Sequence, residues 1–218
     1  MRKSTDTLRI HLAAIALALS GVFFVLYPSL RPFSDESSIQ GAQAFASFSW
    51  VFAHSLAMVA FVLLALGLLG LYGLLYQTTV ERRAIQALVL TWIGVGLTLP
   101  YYGAETFGLH AIGQKAISEK NPALLSLVNS IRLQEGLVFF LPGLALLAAG
   151  TILFAIAIRR SGRFVRWIGI PLAVGFTLYL PQFFAPQPVR VVHGLLIMIA
   201  CLLITWTLLK RNNVVKNT

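Results

Sequence analysis

The sequence has little charge and almost no cysteine. Charged residues make up 11% of its 218 residues, and only seven of them are acidic. In soluble domains about a quarter of the residues are charged, so this composition excludes an ordinary water-soluble fold. The single cysteine, Cys201, lies inside an apolar run and has no second cysteine to pair with. We therefore expect Cys201 to be a small packing residue in a fold that needs no oxidising compartment.

The local motifs of common soluble enzymes are also missing. The chain contains no Gly-x-Ser-x-Gly elbow, no P-loop, no Gly-x-Gly-x-x-Gly fingerprint and no His-Glu-x-x-His pair. Those motifs place a nucleophile, phosphate-binding amides or metal ligands at fixed spacing. Any site in this chain must therefore be assembled from side chains in separate segments.

What the sequence does contain is long apolar runs, in keeping with its 58% of hydrophobic residues. The runs cover residues 8–28, 48–76, 84–102, 136–158, 167–184 and 191–209. Each approaches or exceeds the ~20 residues that cross a bilayer as a helix, and only helices satisfy their backbone within one segment in lipid. The sequence predicts an all-α polytopic membrane protein, a single domain over residues 1–218 with a bundle of six transmembrane helices.

The first apolar run follows a basic start, as in a signal peptide. It is long, covering residues 10–27, and the Ala-x-Ala pairs of residues 14–18 lie inside the run rather than directly after it. We therefore expect a retained first helix rather than a cleaved leader.

Lysine and arginine predict the orientation, since cytoplasmic loops are richer in both. With the N-terminus in the cytoplasm, twelve basic residues fall on that side: Arg2, Lys3, Arg9, Arg82, Arg83, Arg159, Arg160, Arg163, Arg166, Lys210, Arg211 and Lys216. Five fall outside: Arg31, Lys115, Lys120, Arg132 and Arg190. This predicts cytoplasmic termini in a plasma (inner) membrane of bacterial type. The net charge of +10 is then a topology signal that suits anionic lipids, and no nucleic-acid partner is expected.

Two predicted outer loops are long, residues 29–47 and 103–135. The second includes the stretch NPALLSLVNSIRLQE, residues 121–135. Its proline stands at the predicted first helical position, and its apolar residues recur at helical spacing. We expect a helix there that runs into the fourth crossing.

One face of the third predicted helix directs attention to Glu105. At 100° per residue, Thr91, Thr98 and Glu105 share a face, and small residues in such a row favour contact with another helix. Glu105 is therefore predicted to point into the bundle. An ionisable group there is a functional hypothesis. The alternative is a structural pair with Arg132, Arg190 or a tyrosine hydroxyl.

Other polar residues gather at the same outer ends, where Pro100, Pro142 and Pro181 are expected to bend or end helices. The predicted ligand vestibule consists of His54, Tyr101, Glu105, His110, Arg132, Glu135, Gln182, Arg190 and His193. The leading hypothesis is a binding or transport protein for a small or lipid-like ligand, acting alone or as an accessory subunit with a membrane-protein partner. Glu105 would contact a cation. The arginines and histidines would modulate Glu105 or bind an anionic group.

Two other classes stay open. His54, His193 and Glu105 form a candidate metal set, with Glu105 the candidate catalytic base of a metalloenzyme at the outer leaflet. The two histidines are alternatively candidate haem ligands, and the sequence fixes no cofactor. The third class is a structural or partner-binding protein. Converging His–His–Glu side chains would favour the enzyme, an open vestibule would favour binding, and closed Glu–Arg pairs would favour the structural role.

Overall fold

A computed structural model describes the backbone of residues 2–216 and the side chains of residues 7–134 and 136–210. Within these residues the protein is all-helical and contains no strand. The α-helices are α1 (Arg2–Leu30), α2 (Ile39–Ala46), α3 (Phe48–Leu75), α4 (Glu81–Gly103), α5 (Leu109–Ser118), α6 (Ser126–Asn129), α7 (Gly136–Ser161), α8 (Ile170–Thr177) and α9 (Gln187–Lys216). The predicted fold class, all-α, is confirmed.

Five helical stretches in the described part of the chain are long and apolar enough to cross a membrane. They are Thr7–Leu30, Phe48–Leu75, Glu81–Ser118, Gly136–Ser161 and Gln187–Lys210. These five match the predicted first, second, third, fourth and sixth apolar runs. They support an integral membrane protein, and the predicted number of six spanning helices is not confirmed.

The fifth predicted helix, over residues 167–184, is broken. Only α8 is α-helical there, and a turn and a 3-10 helix (Pro181–Phe184) follow it. Pro171 lies in the first turn of α8, and Pro181 opens the 3-10 helix. Proline is accommodated at helix starts but removes a backbone donor inside a helix, so this run does not form one long helix despite its hydropathy.

The contact between α4 and α7 is built from small residues. A Cβ atom added to Gly94 would lie 2.8 Å from the carbonyl oxygen of Gly143, and one added to Gly143 would lie 2.6 Å from Thr98 Oγ1. The Thr91 and Thr98 hydroxyls donate 2.8 Å hydrogen bonds to carbonyls of their own helix. The two backbones therefore touch, which confirms the predicted contact face of the third helix.

The two segments predicted as outer loops are largely helical. The helix that begins at Glu81 does not end near residue 102, because Pro100 removes only one donor and the backbone stays helical at Ala104 (φ −64°, ψ −43°). It continues through a π-helical turn (Ala104–Gly108) into α5. The predicted helix that leads into the fourth crossing is confirmed: Asn121 Oδ1 accepts from Ala123 N at 3.1 Å, and the chain is helical from Pro122 into α7.

These helices form an apolar cluster at one end of the bundle, separate from the main apolar core that the long helices share. Its buried members are Ala42, Phe45, Trp50, Leu109, Ala116, Leu125 and Val128. We call residues 31–46 and 104–135 the cap. The end of the bundle that carries the cap is called the outer end, and the opposite end is called the inner end. Trp50, in the first turn of α3, belongs to this cluster, so the cap is joined to the bundle where the candidate site lies.

Candidate functional site

Four charged side chains connect the cap to the bundle in a continuous network. Arg132 donates from Nε to Glu105 Oε1 and from Nη2 to Glu105 Oε2, the latter at 2.9 Å. Its third nitrogen, Nη1, donates to Glu36 Oε2. Arg31 Nη2 donates to the other oxygen of Glu36 at 2.6 Å. We call this chain of ion pairs, Arg31–Glu36–Arg132–Glu105, the charge network.

The charge network is largely shielded from solvent. Glu105 is 6% exposed and Arg31 is 8% exposed. The Arg31 guanidinium lies 4.7 Å from the centroid of the Trp50 ring and 4.6 Å from that of Phe33. Because a buried charge is costly unless it is paired and hydrogen-bonded, the bidentate contact accounts for an ionised Glu105 at this depth. The prediction that Glu105 points into the bundle is confirmed.

Both partners of the central pair lie in π-helical turns. Glu105 belongs to Ala104–Gly108 and Arg132 to Ser130–Glu135. The Trp50 indole N–H donates to the Glu105 carbonyl oxygen at 2.7 Å and so fixes the first of these turns. Single π-helical turns are rare and occur frequently at functional sites. Their coincidence with the ion pair marks this region as the candidate site.

His54 adjoins the charge network but is not hydrogen-bonded to it. Its Nδ1 lies 2.8 Å from the Trp50 carbonyl oxygen, which can only accept, so Nδ1 carries the proton. The other nitrogen, Nε2, faces Glu105 Oε2 at 3.8 Å. The rings of Tyr27 and Tyr102 pack around the imidazole, with centroids 5.2 and 6.4 Å away. His54 is thus a buried neighbour of Glu105 held by its own helix.

His193 lies elsewhere in the outer half of the bundle. Its Nε2 donates to the Gly175 carbonyl oxygen at 2.7 Å, and its ring packs against Tyr179. The Tyr179 and Tyr102 hydroxyls share a 2.7 Å hydrogen bond. Tyrosine rings therefore connect His193 to the ring of His54, and no direct contact joins the two histidines.

The proposed metal set is not assembled. His54 and Glu105 are neighbours, but His193 does not join them. No group of three His, Cys, Asp or Glu side chains that could hold a metal ion occurs among the described residues.

Three further residues of the predicted vestibule are His110, Tyr101 and Glu135. His110 Nδ1 lies 2.9 Å from the Phe45 carbonyl oxygen, inside the cap. Tyr101 stacks on Phe140 with a centroid distance of 4.0 Å, and its hydroxyl lies beside the Glu105 carboxylate. Glu135 lies outside the described side chains. The predicted vestibule is therefore divided between the charge network, the cap interior and the contact between α4 and α7.

Arg190, at the start of α9, differs from the other outer arginines in its partners. It donates to two carbonyl oxygens, Nε to Ala185 at 2.9 Å and Nη2 to Phe183 at 2.6 Å. No described carboxylate lies within ion-pair distance of it. Its guanidinium lies 5.1 Å from the centroid of the Phe33 ring, which Arg31 also contacts. Two arginines therefore share one aromatic ring.

A small cavity lies beside Arg190. It has a volume of about 10 Å³, and Tyr27, Gln182, Arg190 and His193 contribute to its walls. This is room for about one water molecule. Gln182 is buried at this cavity, which has no room for anything larger than a water molecule.

Among the described side chains of the charge network and around Arg190, positive charge exceeds negative charge. Three arginines (Arg31, Arg132 and Arg190) face two carboxylates (Glu36 and Glu105). In addition, the buried Arg31 Nε has no hydrogen-bond partner among the described residues. A buried donor of this kind is unusual, because almost all such groups are paired. The site therefore has unused capacity for an anion rather than for a cation.

Sequence reasoning missed two of these residues, Arg31 and Glu36. The signal was the stretch RPFSDE directly after the first apolar run. Charges that immediately follow a crossing usually belong to the interface, and the contact between Glu36 and Arg132 joins residues 96 positions apart. Only the folded cap brings them together.

The pH dependence of stability tests the charge network. Burial raises the pKa of the Glu36 carboxyl, but Arg132 and Arg31 outweigh it and hold this pKa below its ordinary value of 4.5. A lowered folded-state pKa stabilises the protein above the unfolded-state pKa, and this stability is lost as the pH falls through the folded-state pKa. We expect a constant unfolding temperature in detergent between about pH 7 and pH 5, and a decline below about pH 4.

Glu36→Gln is the control for this pH dependence. It removes the titrating group and is expected to flatten the acid decline while lowering stability at neutral pH. An acid decline as steep in Glu36→Gln as in the unmodified protein would contradict the role given to Glu36.

Comparison with protein-family models, curated proteins and solved structures finds no match to this chain. Its function is therefore inferred from the geometry of the charge network and of Arg190.

Proposed function

We propose that the protein is an integral membrane protein that binds the anionic group of a small or lipid-like ligand at its outer end. The observation that carries this proposal is the excess of arginine among the described side chains: the hydrogen bonds of Arg190 there go only to carbonyl oxygens, and the buried Arg31 Nε has no hydrogen-bond partner among them. Arginine is suited to carboxylate and phosphate groups because its guanidinium offers several donors in a fixed plane. Glu105 is then the partner of Arg132 rather than the ligand's cation contact.

Ligand entry requires a movement beside Arg190, because the cavity holds about one water molecule. The cavity wall contains Gln182, which belongs to the short 3-10 helix Pro181–Phe184, and Pro186 follows this helix closely. An incoming anion would bind to the Arg190 guanidinium. It would also compete with the Glu36 carboxylate for the Arg31 guanidinium. The Glu105–Arg132 pair would hold the cap in place while this happens.

We further propose that the chain crosses the membrane six times and that both termini lie in the cytoplasm. The broken segment after α7 has contacts at both ends of the bundle: Arg163 Nη1 donates to the Leu74 carbonyl at 2.9 Å near the end of α3, and Gln187 Nε2 donates to the Pro28 carbonyl at 3.1 Å near the end of α1. These contacts favour an interrupted fifth crossing. The excess of basic residues at the inner end then favours a bacterial-type inner membrane. Membrane lipids and a membrane-protein partner are the proposed partners, without nucleic acid.

A structural or partner-binding role is the second candidate. The closed pairing of Glu105 with Arg132, and the lack of room beside Arg190, favour it. The metalloenzyme has one supporting contact, the 3.8 Å approach of His54 Nε2 to Glu105 Oε2, and no third ligand among the described side chains.

Anion binding separates the first two candidates. The purified full-length protein in neutral detergent is titrated with inorganic phosphate, dihexanoyl phosphatidylglycerol and dihexanoyl phosphatidylcholine, and its unfolding temperature is recorded. We expect a saturable rise with at least one of the two anionic probes and none with phosphatidylcholine. Arg190→Gln should weaken this response by roughly tenfold or more, because a hydrogen bond to a charged group is lost.

Lys120→Gln is the matched control, since it removes an exposed positive charge from the cap without touching the cavity. It is expected to leave the response unchanged. If the unmodified protein gives no saturable response, or if Arg190→Gln and Lys120→Gln behave alike, the anion-binding proposal is wrong and the structural role takes its place.

A further inference from the structure

We propose that the inner end of the protein carries a binding site for an anionic phospholipid. A groove of about 390 Å³ lies between the connection from α7 to α8 and the end of α9. Its walls include Arg163, Phe164, Val165, Trp206, Thr207 and Lys210. The volume is within the range of small-molecule sites and accommodates a lipid headgroup.

The groove combines two cationic side chains. Arg163 Nη1 donates to the Leu74 carbonyl oxygen at 2.9 Å, which holds the guanidinium at the groove. Lys210 Nζ lies 5.0 Å from the centroid of the Trp206 ring. The one carboxylate at this end among the described side chains, Glu81, accepts from the backbone of Gln77 and does not line the groove. The charge of the groove is therefore complementary to a phosphate group.

The exposed face of α9 explains why the occupant is a lipid rather than a soluble phosphate. Ile199, Leu202, Trp206 and Lys210 follow one another at helical spacing, so they lie on one side of the helix. All four are exposed in the isolated chain. The order along α9 is aliphatic, aromatic and cationic. It matches the acyl chain, the interfacial region and the headgroup of a phospholipid.

The same side chains favour a headgroup with a net negative charge. Two cations at one groove attract a phosphate, whereas the ammonium of phosphatidylcholine would be repelled by them. Each basic residue near the membrane surface contributes about a fivefold preference for anionic lipid. We therefore expect phosphatidylglycerol to occupy the groove in preference to phosphatidylcholine.

Quenching of Trp206 by brominated lipids tests this site. The full-length chain with Trp92→Phe and Trp167→Phe retains Trp206 in the groove and the buried Trp50 at the outer end. It is reconstituted into phosphatidylcholine vesicles in which either phosphatidylglycerol or a matched part of the phosphatidylcholine is brominated. A further Trp206→Phe change measures the signal that Trp50 contributes. We expect brominated phosphatidylglycerol to quench Trp206 with a relative binding constant at least about fivefold higher.

Three substitutions decide the interpretation. Lys210→Gln is expected to reduce the preference about fivefold, and Lys210→Arg is expected to keep it, which also shows that the groove tolerates a change at this position. Arg82→Gln, an exposed basic residue at the same end but outside the groove, is the matched control and should keep it. Equal quenching by the two lipids, or an equal loss in Arg82→Gln and Lys210→Gln, would overturn the proposal.

Discussion

Arg132→Gln is expected to lower the free energy of unfolding by about 3–5 kcal/mol, the largest effect of any substitution at the candidate site. It removes both hydrogen bonds that Glu105 receives from Arg132 and one that Glu36 receives. Glu105, which is 6% exposed, would then be a buried carboxylate without its cationic partner. Reversible unfolding in mixed micelles, followed by circular dichroism, measures the loss.

The double variant Glu105→Gln with Arg132→Gln should recover most of this stability, because it removes the unpaired charge as well as the pair. Lys115→Gln supplies a comparison within the same cap. Lys115 and Glu119 are joined at 2.7 Å but are well exposed, and exposed pairs contribute little. A loss in Arg132→Gln no greater than that in Lys115→Gln would show that the charge network does not stabilise the fold.

The second large effect is expected where α4 meets α7. Gly94→Ala places a Cβ atom 2.8 Å from the Gly143 carbonyl oxygen and 2.8 Å from the Leu147 backbone nitrogen. Because these are backbone atoms, the helices must separate to admit the methyl group. Overpacking of this kind costs about 1–3 kcal/mol, and the same unfolding measurement detects it.

Gly96→Ala is the matched control for Gly94→Ala. It lies two residues further along the same helix, and a Cβ atom added there meets nothing within 4 Å. Both substitutions replace glycine by a better helix former, which favours the helix by up to about 1 kcal/mol. Gly96→Ala should therefore be neutral or stabilising. If the two variants unfold alike, the close approach of α4 and α7 is not what holds them together.

Helical periodicity predicted the face of α4 correctly. The spacing of Thr91, Thr98 and Glu105 is sufficient because a continuous helix repeats its faces whatever packs against them. All three side chains are buried. The burial of Glu105 was thus predictable from the sequence, whereas its choice of Arg132 over Arg190 depended on the cap.

Hydropathy was less informative at the broken segment and in the cap. A hydropathy average over residues 167–184 does not register the position at which a proline removes a backbone donor. It therefore predicted one helix where the chain forms two short helices. In the cap, α2 packs against α5, and Glu36 meets Arg132. The members of such pairs are far apart along the chain and leave no local sequence pattern. The sequence therefore predicted loops where the chain forms the folded cap.

The separation of Glu105 and Arg132 along the chain has a consequence for biogenesis. Their pairing joins residues 27 positions apart, so at about 5–20 residues per second the ribosome adds Arg132 about 1–5 s after Glu105. During that interval the carboxyl lacks the guanidinium that later neutralises it, and hydrocarbon disfavours an ionised side chain. The helical segment that contains Glu105 is therefore synthesised before the residue that neutralises its carboxylate. The outer half of the protein reaches its final form only after the segment containing Arg132 has been synthesised and folded back.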